Sequence, residues 1–311
     1  MTFQIVGQLD EELQVSLLNS LRALTIDINH LNLDIFVDKR PLRKKNRKSM
    51  GILLEPPSVM PELYSRRNLK KYDLVVFMSP WRAREYDHEH WVFQPITEPT
   101  VLTSTRTRNM TVALINDHKF GATKTSLYGL RRFLLSRAIR NEIPIELFGP
   151  NWRMSRRLEF RKRIAALKRA LSNLPQLDFR ECFSDLFATY DAIYNGSPSQ
   201  KLLCLSNFSY SLAIENDRYS LTEKVFDCLA AGTIPLYVGP NLSEFTELAD
   251  YVIQLPIERN QLVSSINAVL SGSLKPKLVI NGQEDLTILM KPFRSRTIGE
   301  KLALLIQGKF A

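Results

Sequence analysis

The stretch ENDRYSLTEKVFDCLAAGTIPLYVGP, Glu215–Pro240, crowds charged and hydroxyl groups against the start of an apolar-faced segment. Val225, Phe226, Leu229 and Ala230 recur at helical spacing, and Gly232 is well placed just past the C-cap. Ser220-x-x-Glu223 fits a capping box, in which the Ser side chain caps the helix and the Glu reaches back. That pattern accounts for Glu223 without any ligand. It leaves Lys224 unexplained, because a cation in the first turn opposes the helix dipole by roughly a few tenths of a kcal/mol. An anion bound at the helix start reverses the sign: free N–H groups, the dipole and the ammonium then all favour one diphosphate. An anionic ligand is the preferred reading. FSYSLAIEN, just upstream, reads as a buried strand that delivers Glu215 and Asn216 at its carboxyl end, where open α/β sheets bind ligands.

Other residues could also carry chemistry. Glu55 stands where a strand gives way to Pro56-Pro57, and a carboxylate poised in a cleft can take a proton from a hydroxyl. A solvent-facing loop is the commoner fate of a glutamate. His88 and His90 bracket a Glu in DHEH, but no HxxxH spacing or distant third ligand accompanies them, so a loop is expected rather than a metal site. Cys182, Cys204 and Cys228 are odd in number and lack CxxC spacing, which argues against a disulfide framework and for a reducing, cytoplasmic setting.

The elements that position these residues alternate between short β-rich runs and helical patterns. Strands are expected at Phe3–Val6, Met50–Leu54, Asp73–Met78, Thr111–Ile115, Ile145–Phe148, Tyr210–Ile214, Ile234–Val238 and Tyr251–Leu255. Helices are expected at Leu127–Arg140, Ser155–Ser172, Thr222–Ala231 and Asn260–Leu270. Such alternation predicts an α/β fold with parallel sheets. The polar, Thr-rich segment Ile96–Met110 is the linker candidate, dividing the chain into domains 1–108 and 109–275. The tail, 276–311, is expected to pack back on the first domain.

With 311 residues and 44% apolar content, the chain can build a proper core. Its formal charge of +10 fits a polyanion, an anionic membrane surface or a phosphate-bearing substrate. The run KRPLRKKNRK, Lys39–Lys48, is read as a solvated loop, and it lacks the aromatic residues of a single-strand stacking platform. Nucleic acid is therefore not the expected partner. The basic pattern Asn151–Leu174, with Met154, Leu158, Ala165, Leu167 and Leu171 as a rough stripe, is expected to pack as a surface helix, with peripheral membrane docking as the alternative. The start has no basic n-region and no stretch approaches the ~18 apolar residues of a membrane span.

SLAIENDRYSLTEKVFDCLAAGTIPLYVGP resembles the donor-sugar motif of the α-1,3-fucosyltransferase family (glycosyltransferase family 10). Members carry Glu-Asn, then Tyr-x-Thr-Glu-Lys, then a VPV-type strand and a Gly. Val112–Trp152 is similar to the strand, Arg-bearing helix and Tyr-Gly strand that open the family's nucleotide-binding domain, and Gly51–Pro80 resembles the segment with its catalytic Glu. The resemblance implies a GT-B architecture: two Rossmann-like domains with parallel sheets facing a central cleft, acceptor-binding first and donor-binding second. It implies ribose contacts for Glu223 and phosphate contacts for Lys224, with Asn216 and Thr222 in the same motif. Tyr219 departs from the pattern, since Ser220 and Leu221 intervene where the family has one residue. The phosphate-binding arginine falls on Arg131 or Arg132; helical register leaves both open, with Arg131 placed first. Glu55 would act as general base. The implied activity is inverting, metal-independent transfer of fucose from GDP-fucose to a hydroxyl of a glycan or lipid-linked glycan. No Asp-x-Asp pair stands anywhere in the chain to clamp a metal, and no cofactor is expected. A different nucleotide sugar, or a non-catalytic basic protein that binds nucleic acid or membrane, are the alternatives.

Overall fold

The computed structural model describes residues 3–26, 30–41, 46–102, 107–186 and 188–310. Residues 42–45 of the basic run and 103–106 of the Thr-rich segment lie outside them. The chain forms two compact units. The first comprises Met1–Thr97, Tyr219–Leu221 and Met290–Ala311, and the second Glu98–Arg218 and Thr222–Leu289.

The first unit carries a parallel sheet of β1 (Phe3–Val6), β2 (Leu33–Val37), β3 (Lys48–Leu53) and β4 (Leu74–Phe77), in that order across the sheet. Runs such as LDIFV and LVVF are apolar throughout because both faces of a parallel sheet are covered. On one face lies the helix Glu11–Ala23, whose first turn is capped by the Asp10 carboxylate accepting from Leu13 N at 3.1 Å. Its Leu13, Leu17 and Leu21 share a core with Ile298, Leu302 and Ile306 of the helix Ser295–Phe310. The two helices approach closely at Gly299, where an added Cβ would lie 2.4 Å from Ser16 Oγ and 2.8 Å from Leu17 N. Phe36, Leu53, Tyr64 and Phe77 fill a separate core cluster.

In the second unit β5 (Asn109–Ile115), β6 (Ile145–Phe148), β7 (Phe208–Ile214), β8 (Ile234–Val238) and β9 (Ile253–Gln254) form a parallel sheet ordered β6-β5-β7-β8-β9. The chain winds one way from β5 to β6 and the other way from β7 onward. The gap between β5 and β7 is therefore a topological switch point, the place where such sheets open a crevice at their carboxyl ends. Val112, Leu114, Leu134, Leu147, Ile214, Leu236 and Ile266 fill the core around it.

Three sequence expectations are corrected. The boundary falls at 97/98 rather than 108/109, because Gln283 Nε2 donates to Glu98 Oε1 at 2.7 Å and Leu102 N donates to Ala230 O at 2.7 Å. Those contacts also hold residues up to Leu289 in the second unit, so only Met290 onward joins the first. Strands are missing from the expected set at Leu33–Val37, as are the helices Glu11–Ala23 and Ser295–Phe310. The basic helix, Arg156–Ala170, does not bury its expected stripe: Arg163, Ala166 and Ala170 face inward, while Leu158 and Leu171 are exposed. Arg163 is satisfied there by an ion pair with Glu159 and by donating to the Cys182 carbonyl. Within the helix, the exposed apolar residues Leu158 and Phe160 stand two positions apart, about 200° around the axis, so they do not share one stripe. Among the described residues, no helix is long and apolar enough to cross a membrane.

Candidate functional site

The polar residues gather at the carboxyl end of β7. Glu215 extends the strand by one more hydrogen bond, its N–H donating to Val238 O at 2.9 Å, and its side chain is fully buried. Its carboxylate accepts from Thr222 N at 2.9 Å, Thr222 Oγ1 at 2.7 Å and Lys224 Nζ at 3.3 Å. Lys224 Nζ also donates to Thr222 Oγ1 at 2.8 Å, closing a three-residue network. A lysine in a helix's first turn is expected to need an anion, and the fold supplies one within the protein, nine residues back. Sequence reasoning places Glu215 at the strand's carboxyl end without giving it a role; a glutamate ending an apolar strand shortly before a lysine at a helix start is the signal that finds it.

The helix itself is shorter than expected, Lys224–Ala230. Glu223 is its N-cap with helical dihedrals and makes no side-chain capping bond, so the Ser220–Glu223 capping box, the ligand-free alternative for Glu223, does not form. The Glu223 side chain instead stands half-exposed, its Oε1 3.9 Å from both Lys224 Nζ and Lys201 Nζ. Burial works to raise its pKa, but Lys224 and Lys201 outweigh this and hold the carboxyl below its ordinary range.

The two adjacent arginines of the helix Tyr128–Ile139 separate cleanly. Arg131 Nη2 donates to Ile214 O and Glu215 O, each at 2.8 Å, and to Asn216 Oδ1 at 2.9 Å. It therefore stands over the end of β7, with its guanidinium over the Tyr128 ring. Asn216 is fixed a second time, its carbonyl accepting from Leu127 N at 3.2 Å. Arg132 points the other way, donating to Lys119 O, Glu181 O and Ser184 Oγ. Both are buried, and burial lowers the pKa of each; beside Arg163, Arg132 is brought down to about 10.

Tyr219 lies in the first unit. Its carbonyl accepts from Ser79 Oγ at 2.5 Å and its ring stacks under the Arg82 guanidinium, 4.9 Å to the centroid. Glu55 is also in the first unit, exposed, two residues beyond β3. Its peptide is clamped from both sides: its N–H donates to Asp38 Oδ1 at 3.1 Å and its carbonyl accepts from Tyr64 Oη at 2.7 Å. Asp38, at the end of β2 with φ +48°, also accepts from Leu54 N at 2.9 Å. Burial, helped by the Glu55 charge and opposed by those two N–H groups, pushes the Asp38 carboxyl up to about 6. Asp38 was not anticipated from the sequence, since nothing local marks a lone Asp before a basic loop.

The structure thus assembles Arg131, Asn216, Thr222 and Lys224 around Glu215, with Glu223 at the border. Arg132 is turned away, and Tyr219 and Glu55 belong to the other unit. His88 packs against Phe77, ring centroids 5.2 Å apart, and the His90 carbonyl accepts from Phe77 N, so DHEH closes the end of β4. Among the described residues, no group of three or more His, Cys, Asp or Glu could hold a metal ion.

No protein-family model matches the sequence, and none of the curated proteins does. Among solved structures, HepE from Anabaena in complex with UDP-glucose is similar at a TM-score of 0.53 and 10% identity, over 98% of this chain and 99% of that one. The same protein in complex with UDP gives 0.52 at 12% identity, over 95% and 82%. An α1,3-fucosyltransferase gives 0.47 at 11% identity, over 98% and 89%, a likeness too slight to carry weight. At these identities the first two show the fold. It is GT-B, with two parallel-sheet α/β domains of four and five strands.

Proposed function

We propose that the protein is a glycosyltransferase that moves a sugar from a nucleotide-sugar donor to a hydroxyl of a glycan or lipid-linked glycan. The observation that carries this reading is the pair at the start of the helix Lys224–Ala230. A half-exposed, ionised Glu223 carboxylate stands beside the Lys224 ammonium at the carboxyl edge of the sheet. The carboxylate can accept from a ribose diol, and the ammonium can donate to a diphosphate that gains charge as the sugar departs. Arg131 holds Asn216 and the end of β7 rigid behind them. The resemblance of Glu215–Pro240 to the fucosyltransferase motif makes GDP-fucose the first donor to try, with inversion and with Glu55 as general base. No Asp-x-Asp pair is available, so basic side chains stabilise the leaving diphosphate and turnover needs no divalent metal.

A second donor reading has its own support: the HepE structures with TM-scores above 0.5 hold UDP and UDP-glucose. A donor panel decides between them. Nucleotide release should be measured from GDP-fucose, other GDP-sugars and UDP-sugars, with and without candidate acceptors, in excess EDTA. Release from GDP-fucose that is insensitive to EDTA supports the first reading, and release from a UDP-sugar alone the second. Complete loss in EDTA, restored by manganese or magnesium, would refute the metal-independent mechanism. Co-purifying nucleic acid with indifference to every nucleotide would refute transfer altogether.

A further inference from the structure

Glu223 stands between two lysines, and only Lys224 belongs to the Glu215–Pro240 motif. The other, Lys201, opens the helix Lys201–Leu205, shortly before β7. A cation at a helix start finds its anion inside the protein here too: Lys201 Nζ donates to Asp227 Oδ2 at 2.6 Å. Asp227 lies in the helix Lys224–Ala230, one turn past Glu223, with its side chain 15% exposed. The far end of the Lys201 helix is tied to the residues after that same helix, where Thr233 Oγ1 donates to the Leu205 carbonyl at 2.7 Å. From this double anchorage Lys201 Nζ reaches 3.9 Å from Glu223 Oε1, as far from that atom as Lys224 Nζ is. Burial works to lower the Lys201 pKa, but Asp227, and Glu223 after it, outweigh this and hold the ammonium above its ordinary range.

Asp227, Lys201, Glu223, Lys224 and Glu215 therefore alternate in charge along one chain of contacts. The Glu215 end is fully buried, whereas the Glu223 side chain is 50% exposed and is the carboxylate a ligand can meet. Both flanking ammoniums sit beyond hydrogen-bond reach of its Oε1, so they hold its charge without occupying that oxygen. A donor nucleotide then raises a conflict. Its diphosphate draws on Lys224, and it brings negative charge beside Glu223, which like-charge repulsion would push off or neutralise. Lys201 escapes that conflict, because its closest partner is Asp227 rather than Glu223 or the ligand.

We propose that Lys201 is a positioning residue for the donor: anchored on Asp227, it supplies the counter-charge that keeps the Glu223 carboxylate on the ribose hydroxyls while Lys224 serves the diphosphate. The inference rests on the nucleotide-sugar reading above and deepens it. It makes the preference for a ribonucleotide depend on a residue outside the Glu215–Pro240 motif, one that itself touches neither ribose nor phosphate.

The test uses the full chain, titrated calorimetrically with GDP and UDP, their 2′,3′-dideoxy counterparts and inorganic pyrophosphate. A carboxylate that accepts from ribose hydroxyls makes charge-assisted hydrogen bonds, so wild type should prefer the better-bound nucleotide over its dideoxy form by roughly tenfold to a hundredfold. Lys201→Met should cut that preference by about three- to tenfold, and Lys201→Arg should keep it. The dideoxynucleotide and pyrophosphate, which lack the hydroxyls, should bind all three proteins alike. Lys201→Met also strands the Asp227 charge, so Lys201→Met combined with Asp227→Asn is measured beside it. Its melting temperature should return toward that of wild type, and the preference should stay lost. An unchanged preference in Lys201→Met overturns the assignment, as does a preference that returns in the double variant. An equal loss for pyrophosphate overturns it too, and makes Lys201 a phosphate ligand. If Glu223→Gln removes the preference and Lys201→Met does not, the role of Lys201 alone fails. Wild-type protein that binds neither nucleotide nor pyrophosphate overturns the nucleotide-sugar reading with it.

Discussion

The ion pair with Glu215 gives Lys224 one duty and the proposed function a second, and a double-mutant cycle with Glu215 separates them. The Glu215 carboxylate is fully buried and the Lys224 side chain is 12% exposed, their polar atoms 3.3 Å apart. Removing one partner of a buried ion pair typically costs ~3–5 kcal/mol, because the other charge stays behind uncompensated. Thr222 still donates twice to Glu215, and Lys224 is not wholly desolvated, so the expected cost of Lys224→Met is about 2–3 kcal/mol. For a unit of this size that lowers the melting temperature by roughly 4–12 °C. Glu215→Gln in the same chain keeps an acceptor for Thr222 and removes the stranded charge. The double variant should therefore regain most of the lost stability, with a coupling of ~1–3 kcal/mol. Donor binding should not return with it, since the ammonium is still absent. GDP or UDP affinity should stay about tenfold to a hundredfold below wild type in both the single and the double variant. Calorimetric melting and nucleotide titration on the four proteins give both answers. A Lys224→Met protein that melts like wild type, or a double variant no more stable than the single, would refute the counter-charge argument. Recovery of nucleotide affinity in the double variant would remove Lys224 from the ligand.

Glu55→Gln keeps the peptide clamped between Asp38 and Tyr64 but cannot accept a proton, so kcat should fall ~10²–10⁴-fold with nucleotide affinity unchanged; near-normal turnover on the true acceptor would exclude Glu55 as base. Asp38 has a folded pKa near 6, raised from 3.8, so its contribution to stability is fully present below about pH 3.8 and is lost as pH rises through 6. Asp38→Asn keeps that contribution at every pH, so urea unfolding should show the variant level with wild type near pH 4 and more stable by about 1–3 kcal/mol at pH 7. A gap independent of pH would show that Asp38 does not titrate in this range. Gly299→Ala drives a methyl group against Ser16 Oγ and the Leu17 backbone, and should destabilise the first unit by ~1–3 kcal/mol; a variant as stable as wild type would mean the two helices can move apart without cost.

Much of the fold was legible because parallel strands announce themselves as apolar runs. IPLYV and IELF stand in the structure where the sequence places them. LDIFV is not among the expected strands; an Asp interrupts its apolar run, and Asp34 is buried and paired with Arg47. Leu13, Leu17 and Leu21 repeat every four residues, so the helix that carries them was readable in principle. The helix Arg156–Ala170 misled for a physical reason. It buries an arginine, and a periodicity count that treats charge as solvent-facing cannot see a guanidinium satisfied by Glu159 and a backbone carbonyl.

The site shows where local reading stops. From the sequence, helical register leaves Arg131 and Arg132 both open, each one turn past a residue that could face the core, with Arg131 only placed first. In the fold both are buried, and they differ only in whose carbonyls they meet: the end of β7 for Arg131, the 181–184 segment for Arg132. Those partners are some 50 to 85 residues away in the chain, and no helical wheel contains them. Lys224 gives the sharper lesson. A cation at a helix start does require a negative partner, as the dipole argument says. The argument is indifferent to whether that partner is a ligand or a buried carboxylate. Glu215 already satisfies it in the folded chain, so the diphosphate of the proposed donor would not find an unopposed lysine. It would compete with Glu215 for the same ammonium, which is held between Glu215 and Thr222 rather than free to swing. A donor preorganised in this way costs little reorganisation when charge develops beside it, which is what the proposed function asks of Lys224.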